Sequence, residues 1–303
     1  MERYYSLNTY LRESFGEKLY KIALDGGFGC PNRDGTVGTG GCIFCSGAGS
    51  GDFAECAAED VFAAIEHGKA RVQQKNPGGR YIAYFQSFTS TYGPIEKMRR
   101  LFTAAINHPD VAVLSIATRP DCIDDRVIEL LSELNEIKPV WVELGLQTIH
   151  EETARYIRRG YELPVYDEAL RKLRAAGLYV ITHMIIGLPG ETAEMIYNTA
   201  RYIGASGSDG IKLQLLHVLE NTDLAGDYRA GKFDTLSMEE YFPLLAGCIE
   251  RLPPAVCIHR LTGDGAKKEL IAPLWSGDKK RVLNSLKKYF DENDVIQGKA
   301  CRD

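Results

Sequence analysis

The sequence predicts an α/β protein, a partial (β/α)6 TIM-like barrel with an α-rich extension at its C-terminal end. Three observations predict it. Strand-like runs alternate with helix-like stretches six times; several of those runs carry polar residues at every second position; and segments rich in glycine and cysteine fall where strands end.

Residues 1–18 form an N-terminal segment with several tyrosines. Strands are expected near 19–25, 80–86, 111–117, 140–147, 179–186 and 210–218. Helices are expected near 57–74, 94–106, 124–136, 151–176, 191–204 and 238–251. Alternation of this kind gives right-handed βαβ units and a parallel sheet. Six units are too few to close an eightfold barrel. The chain thus divides into 1–18, a barrel over 19–236, and an extension over 237–303 expected to close the barrel and face the substrate.

Parallel strands covered on both faces should be apolar throughout, so polar alternation is informative. On the fourth strand Glu143, Gly145 and Gln147 share one face, with Val142, Leu144 and Leu146 on the other. The sixth repeats this with Lys212 and Gln214 against Leu213 and Leu215; the first adds Lys21 and Asp25, and the third Ser115 with Arg119 just beyond. The pattern describes either a lumen built to bind something polar or a buried network of mutually satisfied groups. A purely structural barrel prefers branched apolar side chains inside, which favours the lumen.

In parallel α/β architectures ligands sit at the carboxyl ends of the strands. Thr118-Arg119-Pro120-Asp121 follows the third strand and Gly187-Leu188-Pro189-Gly190 the fifth, the latter a turn that presents free N–H groups at a helix start. After the first strand comes the most distinctive stretch, Cys30 to Cys45, with Cys42 between them: three cysteines in sixteen residues, among Gly35, Gly38, Gly40 and Gly41. Such a loop is no piece of core. An iron–sulfur cluster usually takes four thiolates, so three would leave one iron open to a small molecule. The alternative is a structural zinc closed by a distant histidine, although the loop offers one Cys-x2-Cys pair and no histidine nearby. Cys56, Cys122, Cys248, Cys257 and Cys301 lack ligand spacing and read as packing residues or incidental thiols.

Composition narrows the setting. With 45% hydrophobic and 25% charged residues the chain reads as an ordinary soluble globular protein, without an apolar run of the ~20 residues a bilayer span needs. Met-Glu-Arg-Tyr-Tyr is no secretion signal, and eight cysteines without a disulfide framework suit a reducing compartment, so a cytoplasmic protein with no membrane partner is expected. The net charge of −5 argues mildly against nucleic acid. Positive charge nevertheless clusters at Arg155, Arg158 and Arg159, at Arg171, Lys172 and Arg174, and near Lys267, Lys268, Lys279, Lys280, Arg281, Lys287 and Lys288. These are solvated helix faces or an RNA footprint.

Cys42-Ile-Phe-Cys45, with Phe44 just before the last cysteine and Cys30 upstream, resembles the cluster loop of radical S-adenosylmethionine (SAM) enzymes. It departs from their usual Cys-x3-Cys-x2-Cys spacing, since eleven residues separate Cys30 from Cys42. Together with CPNRDGT, TRPD, ELGLQT, GLPGET and HRLTGDG it is similar to the family that includes YhcC and YtqA (MnmL), related to the radical domain of the Elongator catalytic subunit.

The resemblance implies a [4Fe-4S] cluster held by Cys30, Cys42 and Cys45, which are at once the metal ligands and the catalytic centre. Phe44 would pack near the adenine of SAM. Gln147 and Arg159, twelve positions apart, would contact the cofactor with Glu143, Arg119 and His183; His217 and Val218 would lie beside the adenine. Gln86 and Ser87 stand where a Gly-Gly-Glu type segment often binds the amino group. The implied chemistry is reductive cleavage of SAM to a 5'-deoxyadenosyl radical that takes hydrogen from the substrate. That substrate is expected to be tRNA at the wobble uridine of the anticodon loop, with carboxymethylaminomethyl(-2-thio)uridine converted to aminomethyl(-2-thio)uridine; an unstacked loop base can enter a pocket without breaking a helix. Lys21, Lys212 or Arg260 could pair with the substituent's carboxylate, while Asp25, Gln214 and His259 join the substrate side. Lys279, Lys280 and Arg281 are expected to hold the anticodon stem. A reductant for the cluster and a downstream tRNA methyltransferase are the implied partners. Two other classes fit the residues: a radical SAM enzyme acting on a small metabolite or a protein, and a non-catalytic metal-stabilised module.

Overall fold

In the computed structural model, residues 2–49, 51–263, 265 and 267–301 are described. Helix α1 (Leu7–Phe15) precedes β1 (Tyr20–Asp25); the cysteine loop and a two-residue strand, β2 (Glu55–Cys56), lead into α2 (Val61–Val72). Then come β3 (Tyr81–Phe85), α3 (Ile95–Ile106), β4 (Val111–Thr118), α4 (Asp125–Asn135) and β5 (Val140–Gln147). Helices α5 (Glu151–Tyr156) and α6 (Leu163–Ala175) lead to β6 (Tyr179–Ile186), α7 (Ala193–Ala205) and β7 (Gly210–Leu215). The rest supplies β8 (Val218–Leu219), α8 (Asp223–Arg229), α9 (Met238–Glu250), β9 (Cys257–Arg260), β10 (Leu270–Ala272) and α10 (Lys279–Glu292).

Eight strands form one parallel sheet in the order β2-β1-β3-β4-β5-β6-β7-β9, and the two edge strands are not paired with each other, so the sheet stays open. The six expected strands form its centre. Two short strands carry no legible signal in the sequence, because runs of two and four residues hold too little alternation to register. The segment expected to close the open side instead lengthens the sheet, β9 pairing in parallel with β7 through Ile211 and Ile258. Among the described residues no helix is long and apolar enough to cross a membrane.

The stretch 151–176 is two helices rather than the single one expected. Arg158 and Gly160 take φ of 55° and 82°, left-handed values that end α5, and Pro164 opens α6. Gly160 has a second constraint: a Cβ there would stand 2.9 Å from Val37 and 3.2 Å from Asn32, both in the cysteine loop.

The strands' two faces do different work. Val142, Leu144 and Leu146 on β5 are fully buried in the main core, where each contributes about 1.5–3 kcal/mol. On the inner face, at the amino ends, Leu11 of α1 packs with Leu19, Ile82, Trp141 and Ile181. Ser6 caps α1 by accepting from the Thr9 amide, and Gly16 ends it in a left-handed turn. The rings of Tyr10, Tyr179 and His259 gather on Trp141 at 5.8, 5.3 and 5.4 Å, completing an aromatic plug.

Candidate active site

Above the plug each inward face turns polar. Glu143, fully buried, lies at the centre of this layer: it accepts from Lys21 at 2.8 Å, from Ser115 at 2.9 Å, and from Lys212, and pairs with His183 at 2.7 Å. Lys212 also donates to the Tyr84 hydroxyl at 3.0 Å, and both ammonium groups stand 4.5 Å from the Tyr84 ring. Burial alone would raise the Glu143 carboxyl, but Lys21 and Lys212, joined by His183, outweigh it and hold the group well below the usual carboxylate range. Burial, then the charge of Lys212, pushes His183 down to about 4. Burial also drives Lys212 well below the ordinary lysine value, against the pull of Glu143.

This layer is the floor of a cavity of about 1500 Å³ at the carboxyl ends of the strands. Along its walls lie Gln86, Gln147, Gln214, Arg260 and His217, and all three cysteines of the loop open into it with Phe44. Its lining carries nine lysines and arginines against three carboxylates, in a chain whose net charge is −5, so positive charge is concentrated here.

The cysteine loop is held against the break between α5 and α6. Asn32 donates to the Arg158 carbonyl at 2.6 Å and to Cys42 Sγ at 3.4 Å, and the Ile43 amide donates to the Ile157 carbonyl at 3.2 Å. Arg33 reaches the Ser46 carbonyl at 2.6 Å. Gly35, Gly40 and Gly41 have positive φ, whereas Gly38 does not; it is small because a Cβ would meet Asn32 at 2.5 Å. Cys42 is drawn down to about 7, first by its hydrogen bond with Cys45, against burial, and then by Arg119, Asn32 and Arg33. The same bond pushes Cys45 up. A thiol poised in this way readily becomes a thiolate ligand.

Behind the loop, Arg159 is buried with its guanidinium bonded to the carbonyls of Thr148 (2.7 Å) and Tyr161 (2.9 Å) and to Glu151 (2.9 Å). Arg119 is fixed by Asp121 at 2.7 and 2.9 Å and donates to the Arg159 carbonyl at 2.8 Å. Tyr161 lies between the two guanidinium groups, 5.1 and 4.7 Å from its ring, and donates to the Gly145 carbonyl. Both arginines border the cavity, but their donors brace the loop's support.

Several expected residues lie elsewhere. Asp25 turns back to accept from the Gly27 amide at 2.8 Å and does not line the cavity. His259 belongs to the aromatic plug below the floor, because β9 delivers it at the amino end of the sheet. Ser87 is buried with its hydroxyl against Gly51, and that hydroxyl has no hydrogen-bond partner among the described residues. Val218 is buried on β8, paired with Ala272, while its neighbour His217 faces the cavity. Of the three basic residues opening α10, Lys279 lines the cavity and Lys280 and Arg281 do not. Asp264 of the HRLTGDG segment lies outside the described residues. Of the other cysteines, Cys248 and Cys257 are buried and Cys56 and Cys301 exposed. Sequence reasoning missed Tyr84, Tyr161 and Asn32; Tyr84 was recoverable, since it shares a face with Gln86 on the second expected strand.

The donor set suits a cluster better than a single ion. Among the described residues, one triad of His, Cys, Asp or Glu ligand atoms lies mutually within 4.8 Å, namely Glu66, His108 and Asp110, so at least one pair among the three sulfurs stands farther apart than the ~3.8 Å between thiolates on one tetrahedral zinc. The Glu66–Asp110 site already holds the Lys69 ammonium.

Residues 27–203 match the model of the radical SAM superfamily. The chain belongs to the radical SAM superfamily. Residues 208–292 match a radical SAM C-terminal domain. As a radical SAM enzyme it uses a [4Fe-4S] cluster and SAM. It is 46% identical to YtqA of Bacillus subtilis over 298 residues, 98% of this chain and 92% of that protein. It is 36% identical to YhcC of Escherichia coli over 291 residues, 96% and 93% of the two. Similarity extends at 27% identity to a tRNA uridine(34) acetyltransferase of Methanocaldococcus jannaschii, over 62% of this chain and 34% of that one. The fold is that of the archaeal Elp3 of Methanocaldococcus infernus, with a TM-score of 0.71 at 18% identity, covering 92% of this chain and 64% of that structure.

Proposed function

We propose that this enzyme acts on tRNA at the wobble uridine and converts a carboxymethylaminomethyl substituent to an aminomethyl one. The nitrogen–carbon bond to the carboxymethyl group is hydrolysed after oxidation at that carbon, its two carbons leaving as glyoxylate, with SAM, which ends as methionine and deoxyadenosine, as the oxidant. The observation that carries the reading is the cavity floor, where Lys21 and Lys212 bond a single buried carboxylate, Glu143, in a cavity that Arg260 and three cysteines also line. Similarity to proteins named tRNA uridine(34) acetyltransferases supports uridine in RNA as the target.

In this reading Cys30, Cys42 and Cys45 hold the cluster, and Phe44, Gln86, Gln147, His183 and His217 border the SAM site. Cluster and SAM together supply one-electron chemistry able to remove hydrogen from an unactivated carbon. The protein's part is to orient and exclude. Lys21 bonds Glu143 with one of its three N–H donors, leaving donors for a substrate carboxylate at the cavity floor. The aromatic plug bars water from the amino end. Residues 237–303 are assigned to the RNA side, an outside donor supplies the electron, and a methyltransferase is the class of enzyme that would next take the freed amine.

The test is anaerobic reconstitution with iron and sulfide, then reduction with SAM and tRNA, followed by nucleoside mass spectrometry. Loss of carboxymethylaminomethyluridine with gain of aminomethyluridine and deoxyadenosine is expected. Deoxyadenosine formed without any change in tRNA would reject tRNA as the substrate.

A further inference from the structure

One exposed aromatic residue stands at the cavity's mouth. Phe53 is 55% exposed and is the one exposed large apolar side chain, among the described residues, that lines the cavity. Single exposed apolar residues are ordinary on protein surfaces. Phe53 differs in how firmly its surroundings are fixed. The Ser46 hydroxyl donates to Asp52 at 3.2 Å, the Ala54 amide to the Gly51 carbonyl at 2.8 Å, and the Phe88 amide to the Gly49 carbonyl at 2.9 Å. Phe88 lies against Gly49, where a Cβ would stand 2.5 Å from its ring, and Arg33 covers the same ring at 5.3 Å. The chain thus holds a ring out into water beside a site, where burying it would be the cheaper arrangement.

The other side of the mouth has the opposite chemistry. Phe53 precedes β2 at one edge of the sheet, while Lys267, Lys268 and Lys279 follow β9 at the other, all three exposed and all lining the same cavity. An exposed apolar ring and three exposed ammonium groups bordering one cavity complement a group with an aromatic face and an adjoining anion, which is an unpaired nucleotide.

We propose that the mouth is a single-stranded RNA platform on which Phe53 stacks a base of the substrate loop while Lys267, Lys268 and Lys279 take the flanking phosphates. The proposal rests on RNA being the substrate and adds where, and through which contacts, the loop is gripped. Stacking reads no base identity, so this surface sets the position of the strand and leaves selection of the uridine to the cavity.

The test uses the full chain loaded anaerobically with iron and sulfide, and a hairpin RNA with a single-stranded loop compared with a fully paired duplex of the same stem. Phe53→Ala weakens hairpin binding by about tenfold or more and leaves its salt dependence unchanged. Phe53→Trp keeps the affinity, and its added fluorescence is quenched by the hairpin and not by the duplex. Lys267→Ala with Lys268→Ala lowers the slope of log affinity against log salt by about 0.7 for each phosphate no longer neutralised. Hairpin binding by Phe53→Ala equal to the parent's overturns the platform while leaving RNA as substrate intact. Quenching of the Phe53→Trp variant by SAM alone overturns it by returning the residue to the cofactor pocket, and an acidic peptide bound with the same dependence on Phe53 overturns it in favour of a protein partner. A parent enzyme that binds neither RNA removes the platform and the tRNA reading together.

Discussion

Along one face of β5, Trp141, Glu143, Gly145 and Gln147 follow one another, and they connect two ends of the molecule built on opposite rules. At the amino end Trp141 is sealed among aromatic and aliphatic groups with α1 beneath it. Toward the carboxyl end the same face meets charge, then open cavity, then cysteines held by a glycine-rich loop. The difference teaches that stability and reactivity are separated here by depth along a strand. A plug that needs no water lets the layer above it hold cationic side chains around one carboxylate.

Substitutions at each end should break or sharpen that separation. The largest effect is expected at the open end: Cys42→Ser should bring iron after reconstitution close to zero while the melting temperature of the cluster-free chain stays near the parent's. Retention of full iron would mean that the loop is not the cluster's holder. Next, Glu143→Gln leaves the buried Lys212 and the half-buried Lys21 without their anion and should cost about 3–5 kcal/mol in denaturant unfolding at neutral pH, a deficit that shrinks at high pH as Lys212 sheds its proton. Trp141→Ala should cost a similar or slightly smaller amount, about 3–5 kcal/mol, by opening the plug, yet leave iron content unchanged. Loss of iron in that variant would show that the two ends are not separable.

A smaller effect concerns pH. His183 is held near 4, below the 6.5 of an unfolded histidine, so as pH falls through that window the unfolded chain takes up the proton first and stability drops, by at most about 3 kcal/mol. Below about 4 both states are protonated and the loss levels off. His183→Gln should flatten this portion of the stability profile. The smallest effect is expected on α10: Lys280→Ala with Arg281→Ala should change RNA affinity less than Lys279→Ala alone, because of the three only Lys279 reaches the cavity. Equal losses in a filter-binding titration would extend the footprint beyond the mouth.

Alternation along the strands made the lumen legible, and with it Lys21, Glu143, Gln147, Lys212 and Gln214, because a period of two fixes the face on which a side chain lies. It does not fix depth. His259 was assigned to the substrate although its ring packs in the aromatic plug below the floor, and Asp25 although its carboxylate is satisfied two residues on. Helical position had the same weakness, since one step around α10 separates Lys279 from Lys280. The break at 157–162 was written in Gly160 and Pro164, but the arginine-rich run around them resembles a continuing helix.

That break has a consequence for how the protein comes to be. The Arg158 carbonyl receives hydrogen bonds from Asn32 and Cys42, partners separated from it by 126 and 116 positions. During synthesis the cysteines therefore leave the ribosome long before the surface that shapes them exists. The loop's contacts with the Arg158 carbonyl form only after the chain has been made past that residue, so the support of the cysteines is completed by the second half of the protein.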